Sequence, residues 1–277
     1  MVSGNGSVRR SVLAAATAFG ALLAVTALAP QAGAVIGGTD ADEPYPFMAT
    51  LRDDRGAHFC GGTLVDPEWV LTAGHCVDTR AVAPGDLTVA LGDTDRTAGV
   101  EYGVREIVTH PDYVADLVPH PTLDVEMLDL REDIALIRLD EPVDARPLEL
   151  APAPRPGDPV RALGWGMTCE DGADCPEPPI VLQQLDTEIV PDERCTGLEA
   201  GRDHCSEHPT EPAQVCTLDS GGPILQWIDG RWALVGVISR DGDYVTDPNC
   251  VGPQVMTGAG AHAEWIGSTV AGGFSGT

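Results

Sequence analysis

The chain has 277 residues, of which 16 are basic and 43 are acidic, and its formal net charge is −27. This length is sufficient for one large domain or two moderate ones with real hydrophobic cores. A surface with this much negative charge repels nucleic acid and anionic membranes. We therefore expect no nucleic-acid partner and no membrane partner for the mature chain.

The first 34 residues have the pattern of a secretory signal peptide. They carry Arg9 and Arg10 and no acid, an apolar stretch at 12–28, and Ala-Gly-Ala at 32–34, a small-x-small cleavage site. We therefore predict a signal peptide at 1–34 and an extracellular protein; an uncleaved membrane anchor is the alternative, because the apolar stretch is long. Cleavage leaves 14 arginines against 43 acids, a net charge of −29.

The mature chain has the pattern of an all-β protein. Short apolar or alternating runs recur between Gly, Pro and Asp turns, for example at 62–71 and 182–190. A proline-rich segment at 151–158 divides these runs into two groups, and a helix is predicted only at 259–268. Residues 269–277, rich in Gly and Ser, are expected to fray.

Eight cysteines all follow the predicted signal peptide. An even number of cysteines in an exported protein favours four disulfides, and the absence of any CxxC pair argues against metal binding. The cysteines are Cys60, Cys76, Cys169, Cys175, Cys195, Cys205, Cys216 and Cys250. No cofactor and no metal site are predicted from the sequence.

Three short motifs supply the residue types of nucleophilic catalysis. They place His75 beside a cysteine, Asp133 at the start of a buried-type strand, and Ser220 in an Asp-Ser-Gly-Gly-Pro turn. A serine hydroxyl is a poor nucleophile until a base takes its proton, and an imidazole needs a carboxylate to fix its tautomer. Each motif alone is ambiguous, but the three in the order His, Asp, Ser, after a Val-Ile-Gly-Gly start, are a far rarer coincidence.

With these motifs, residues 35–268 resemble the chymotrypsin/trypsin-like serine proteases, in particular secreted bacterial members of the actinobacterial type. The resemblance rests on Val-Ile-Gly-Gly at 35–38, Cys-Gly-Gly-Thr-Leu at 60–64, the three motifs above, Gly-Trp-Gly at 164–166 and a C-terminal helix with Trp265. It implies two packed six-stranded antiparallel β-barrels, at about 35–150 and 151–258, and then the helix.

The resemblance assigns His75 as general base and acid, Asp133 as its orienting carboxylate and Ser220 as nucleophile. The backbone N–H groups of Leu218 and Ser220 would form the oxyanion hole. Leucine is unusual at the first position, because the required positive φ costs a side chain about 1–2 kcal/mol. The α-amine of the first mature residue, Val35, would pair with the buried acid Asp219.

The one-cut hypothesis is that signal peptidase, by cleaving after Ala34, also creates the active amino terminus. The alternative is cleavage after Ala29, which leaves a five-residue propeptide, although Pro30 in the next position disfavours it.

The resemblance also implies the disulfide pairs Cys60–Cys76, Cys195–Cys205 and Cys216–Cys250. Cys169–Cys175 is outside the usual set of the family, and we assign it as a local staple worth about 2 kcal/mol.

The predicted substrate pocket differs from that of trypsin. Gln214, with Val215 beside it, stands where trypsin-like members place an acid, and a neutral floor disfavours simple tryptic specificity. Ser239 and Asp241 are expected on the substrate-pairing strand, and Gln254 on the pocket wall. Asp241 either adds a negative charge at the mouth of the pocket or narrows that mouth. If the alignment with the family is shifted by one residue, Gly242 is the matching residue instead.

Between His110 and Asp133 the chain is longer than in trypsin-like members, and the extra segment is acidic. We expect it to flank the cleft, where it either selects basic or extended residues or is an inert solvated loop. Its acids are Asp116, Asp124, Glu126, Asp129 and Glu132.

The sequence thus predicts a secreted, monomeric serine endopeptidase with protein or peptide substrates and a protein protease inhibitor as a further partner. The alternative is a pseudoprotease that binds proteins on the same fold, with Leu218 disrupting the oxyanion hole.

Overall fold

The computed structural model describes residues 1–4, 35–121, 124, 126–169, 175–246 and 250–272. By their contacts the residues form two units, Met1–Pro30 and Gln31–Thr277. Most of the predicted signal peptide (5–34) and the end of the predicted tail (273–277) lie outside the described residues. Within the described residues, no helix is long and apolar enough to span a membrane.

Fifteen strands and one α-helix are found in the described residues. In chain order they are β1 Thr39–Asp40, β2 Met48–Arg52, β3 His58–Asp66, β4 Trp69–Thr72, β5 Thr88–Leu91, β6 Val100–Thr109, β7 Val114–Pro119, β8 Glu126–Arg131, β9 Ala135–Leu139, β10 Pro159–Gly164, β11 Gln183–Val190, β12 Asp203–Glu207, β13 Pro223–Ile228, β14 Arg231–Asp241, β15 Gln254–Gly258 and α1 Ala263–Gly272.

The first barrel closes in the order β2-β3-β4-β9-β6-β5, with antiparallel pairing throughout. Its interior is filled by fully buried aliphatic side chains such as Leu51, Leu71 and Ile137. The predicted run at 62–71 proves to be two strands, because Pro67 lacks the N–H that a continuing ladder needs. The chain turns there and returns as β4.

The second barrel joins β10, β11, β12, β13, β14 and β15, and the β11–β12 pairing closes it. The short strand β1 adds to β11 from outside, with Thr39 opposite Gln184. The prediction of two six-stranded antiparallel barrels is therefore confirmed. A hydrogen bond of 2.8 Å from Gly61 N to Ser220 O connects the first barrel with the turn that precedes β13.

Three features differ from the prediction. The acidic segment after His110 forms the hairpin β7–β8, which pairs from Val114–Arg131 to Pro119–Glu126; strand β12 was also not predicted. The helix α1 begins at Ala263 rather than at 259, because Gly260–His262 form a 3-10 turn. It runs to Gly272, so the first residues of the predicted tail are helical.

All four predicted disulfides are present: Cys60–Cys76, Cys169–Cys175, Cys195–Cys205 and Cys216–Cys250. Together they use all eight cysteines, which confirms the assignment of disulfides over metal ligands.

Candidate active site

His75 lies in a 3-10 turn, Gly74–Val77, directly after β4. The Cys60–Cys76 disulfide fixes this turn to β3. Gly74 is required for close packing, since a Cβ there would be 2.8 Å from the Tyr113 ring and 3.2 Å from Asp133 Oδ1. The imidazole keeps 22% of its side-chain surface exposed, so one edge faces the cleft.

Asp133 is fully buried and accepts three hydrogen bonds. Its Oδ2 lies 2.8 Å from His75 Nδ1 and accepts from Ser239 Oγ at 2.6 Å, and its Oδ1 accepts from the His75 backbone N–H at 2.8 Å. An Nδ1–H pointing at the carboxylate leaves the Nε2 lone pair of His75 available as a base. The carboxylate thus sets both the orientation and the tautomer of the ring.

The two groups influence each other's protonation. For Asp133 burial alone favours the neutral acid, but His75 and the donated hydrogen bonds lower the pKa below its ordinary value. For His75 burial favours the neutral ring, but the carboxylate outweighs this and raises the pKa above 6.5. The pair is therefore built to stabilise an imidazolium beside a carboxylate.

Ser220 lies on the tight turn that leads into β13. Gly221 has φ of +79°, and a Cβ there would be 2.4 Å from Gly61 O, so the turn requires glycine. Ser220 is half-buried and lines a cleft pocket of about 490 Å³ together with His75 and Ser239. The structure thus places His75 and Ser220 on one cleft, with Asp133 buried behind His75.

Leu218 adopts the positive φ that a donor at this position requires, 78°. Its turn is held by Asp219 N donating to Cys216 O at 3.0 Å. The backbone N–H groups of Leu218 and Ser220 make no hydrogen bond to another described residue. Both donors are thus unpaired within the part of the chain that the structure describes.

Asp219 is fully buried beneath the serine turn. It accepts hydrogen bonds from Gly166 N at 2.6 Å and from Cys216 N at 2.9 Å. Burial raises its pKa to about 7, with the two backbone donors opposing the shift. Among the described residues no arginine or histidine forms a salt bridge with it, and a buried carboxylate needs such a partner.

The first predicted mature residue is already buried inside the second barrel. Val35 has no exposed surface, and its neighbour Ile36 exchanges backbone hydrogen bonds of 3.0 and 3.1 Å with Gln214. Gly37 allows this docking, because a Cβ there would be 2.6 Å from Ala213 Cβ.

A second pocket, of about 240 Å³, lies beside Ser220. It contains the predicted residues Gln214, Val215, Ser239 and Asp241, and the Cys216–Cys250 disulfide forms part of its wall. Gln214 is buried and donates from its amide to Pro253 O at 2.5 Å. The floor of the pocket therefore carries no charge.

Asp241 contributes a carboxylate to both pockets. Burial raises its pKa to about 7, assisted by the hydrogen bond and the negative charge of Asp243. Asp241 lines both pockets, whereas Gly242, the residue that a register shifted by one would place there, lines neither.

Gln254 is wrongly placed by the sequence prediction. Its amide points away from the pocket and donates to Ser206 Oγ at 2.9 Å, because Gln254 belongs to β15, where it pairs with β12. It does not line either cleft pocket.

Other cleft residues were not predicted. Arg240 lines both pockets, but its guanidinium turns to Asp203 Oδ2 and Gly197 O, each at 2.6 Å. Tyr244 lines both pockets as well, and Met127 and Leu130 of the hairpin line the larger one. The inserted segment is thus part of the cleft, as expected, but with apolar side chains as well as acids.

A two-barrel fold with His75 and Ser220 on one cleft, and a buried aspartate hydrogen-bonded to that histidine, is that of a serine-type hydrolase. A family model described as Trypsin matches residues 35–266. A mouse (Mus musculus) protein named tryptase is 30% identical over 258 residues, which cover 84% of this chain and 87% of that protein. The Drosophila melanogaster serine proteinase stubble is 28% identical over 265 residues, which cover 86% of this chain and 31% of that protein.

The chain therefore belongs to the trypsin family, and it is a serine endopeptidase.

Proposed function

We propose that the protein is a secreted serine endopeptidase that hydrolyses peptide bonds through His75, Asp133 and Ser220. The observation that carries the proposal is the hydrogen bond of 2.8 Å between His75 Nδ1 and the buried Asp133, in a cleft that Ser220 also lines. This arrangement leaves His75 Nε2 free to take a proton from a serine hydroxyl.

In the proposed reaction, Ser220 Oγ attacks the scissile carbonyl while His75 Nε2 takes the hydroxyl proton. The same imidazolium then protonates the leaving amine, and an acyl-enzyme ester remains on Ser220. Water, deprotonated by His75, hydrolyses this ester and restores the hydroxyl. Asp133 stays ionised throughout, which fits its lowered pKa.

The oxyanion of each tetrahedral intermediate would bind to the backbone N–H groups of Leu218 and Ser220. The positive φ of Leu218 and the two unengaged N–H groups support this assignment. Preorganised donors of this kind are each worth about 10²–10³ in rate. The pseudoprotease alternative, which depends on a displaced Leu218 donor, loses its main support.

We propose that signal peptidase also activates the enzyme, by cutting between Ala34 and Val35. The freed α-amine would pair with Asp219. This carboxyl is buried in the uncleaved chain, and burial raises its pKa to about 7. Secretion is a prediction from the N-terminal segment, and the bacterial origin is a prediction from the family resemblance. Amino-terminal sequencing of the secreted protein tests the single cut, and a first residue other than Val35 would refute it.

The pocket supports a specificity that is not simply tryptic. Its floor, Gln214, is neutral and already hydrogen-bonded, whereas its acid, Asp241, lies on the wall. Cleavage of a random peptide library, with Ser220→Ala as the control, tests the activity and reads out the preference. Hydrolysis that persists in the Ser220→Ala protein contradicts the proposed nucleophile. We propose that the partners are protein or peptide substrates and a protein inhibitor. We also propose that the protein is a monomer.

A further inference from the structure

A compact cluster of His110, Glu132 and His262 lies behind the candidate active site and has no part in the proposed chemistry. All three residues are buried, with exposed fractions of 6%, 9% and 1%. One donor atom from each lies within 4.8 Å of the others. Glu132 directly precedes Asp133 in the chain.

The hydrogen bonds of His262 fix its tautomer. Its Nδ1 lies 2.7 Å from Gly258 O, and a carbonyl oxygen only accepts, so Nδ1 carries a proton. Its Nε2 lies 2.5 Å from Glu132 Oε2. In the neutral ring this atom is a lone pair directed at a carboxylate, and such a contact requires either a proton, as in an imidazolium–carboxylate ion pair, or a metal ion between the two atoms.

His110 brings a third ligand-type atom close to the same carboxylate oxygen. Its Nδ1 accepts from Asp112 N at 3.3 Å and lies 3.7 Å from Glu132 Oε2. A proton shared by His262 and Glu132 leaves His110 Nδ1 with only this long hydrogen bond from Asp112 N, whereas a metal ion that displaced the proton would bind all three atoms.

We propose that His262 Nε2, Glu132 Oε2 and His110 Nδ1 form a binding site for a divalent transition metal of the zinc type. Zinc accepts two histidines and one carboxylate, and tetrahedral bonds of about 2.0 Å separate ligand atoms by about 3.3 Å. The separations of 2.5 and 3.7 Å in the cluster bracket this value.

The surroundings of the cluster are those of a metal site. The Gly258 carbonyl orients His262, and Arg202 Nε donates to Glu132 Oε1 at 2.7 Å, which leaves Oε2 for the metal. The Trp265 ring packs against His110, with centroids 5.0 Å apart. The Arg202 side chain is 39% exposed, so the Glu132 side of the cluster lies close to solvent.

The first test is a titration of the mature Ser220→Ala protein with Zn²⁺ in competition with a chromogenic chelator. We expect one equivalent to bind, and His110→Phe, which keeps a ring against Trp265 without a ligand atom, to weaken binding at least about 10-fold. His208→Ala is the matched control, because His208 lies outside the cluster, and its affinity should equal that of the reference protein.

Two results of the titration would overturn the proposal. One is a failure to bind Zn²⁺; the other is equal affinity in His110→Phe, which would place the ion elsewhere, for instance on His75. X-ray absorption of the zinc-loaded reference protein needs no variant at the cluster. We expect scattering from two imidazoles and a carboxylate, and fewer than two imidazoles would contradict the site. Neither measurement depends on protease activity.

Discussion

Replacing Leu218 by glycine tests whether this residue already holds its backbone donor in place. Its φ of 78° costs a side chain about 1–2 kcal/mol, and glycine costs roughly 0.5–1 kcal/mol in backbone freedom. The two effects nearly cancel, so the free energy of unfolding should change by no more than about 1 kcal/mol.

The effect of Leu218→Gly on catalysis should also be small. The conformation of Leu218 is fixed by its neighbours, since Cys216 is in a disulfide and Asp219 is buried and hydrogen-bonded on both oxygens. If the donor already faces the oxyanion, kcat/KM should change by less than about 3-fold, which is below 1 kcal/mol in the barrier.

The assay is steady-state hydrolysis of a chromogenic peptide, combined with denaturant unfolding. Leu218→Ala is the matched control, because it keeps the Cβ and the strained φ but removes the rest of the side chain. If the Leu218 N–H is instead displaced from the oxyanion hole, glycine should raise the rate of hydrolysis by about 10²–10³. A rise of about 100-fold in Leu218→Gly but not in Leu218→Ala would therefore refute the reasoning.

Three further predictions concern ionisable groups. Because the pKa of His75 is raised above 6.5 and only the neutral ring is a base, the acid limb of kcat/KM against pH should have its midpoint above 6.5; a midpoint below it would contradict the Asp133 contact. In the uncleaved chain the folded pKa of Asp219 is about 7 against an ordinary 3.8, so folding favours its protonated form, and stability is lost as the pH rises through this window. Melting of Ser220→Ala with and without residues 1–34 should show this loss only in the uncleaved protein; the same loss in both would count against pairing with Val35. Asp241→Asn should lower kcat/KM for basic relative to neutral side chains before the cut, more strongly above its pKa of about 7 than below it, and an unchanged ratio would remove Asp241 from specificity.

The fold and the central residues could be predicted because they depend on local sequence. The local conformation can be predicted from turn glycines such as Gly221 and from the motifs around His75 and Ser220. The strain at Leu218 was also foreseeable, since its position in the turn fixes its φ.

The remaining features depend on tertiary contacts that a sequence does not display. The hairpin β7–β8 was missed because its acids mask the alternation of apolar residues. Glu132 belongs by composition to an acidic loop, yet it is buried against Arg202 and His262, which lie far along the chain. Gln254 was misplaced because strand β12, to which its amide donates, was not predicted.

The most direct test of the central claim is labelling of the mature protein with a fluorophosphonate, followed by mass spectrometry. A serine activated by His75 and Asp133 reacts with this probe, whereas an ordinary hydroxyl does not. The account predicts one equivalent of label on Ser220, absent in Ser220→Ala and strongly slowed in His75→Ala. Folded wild-type protein that takes up no label, or label on another residue, would contradict it.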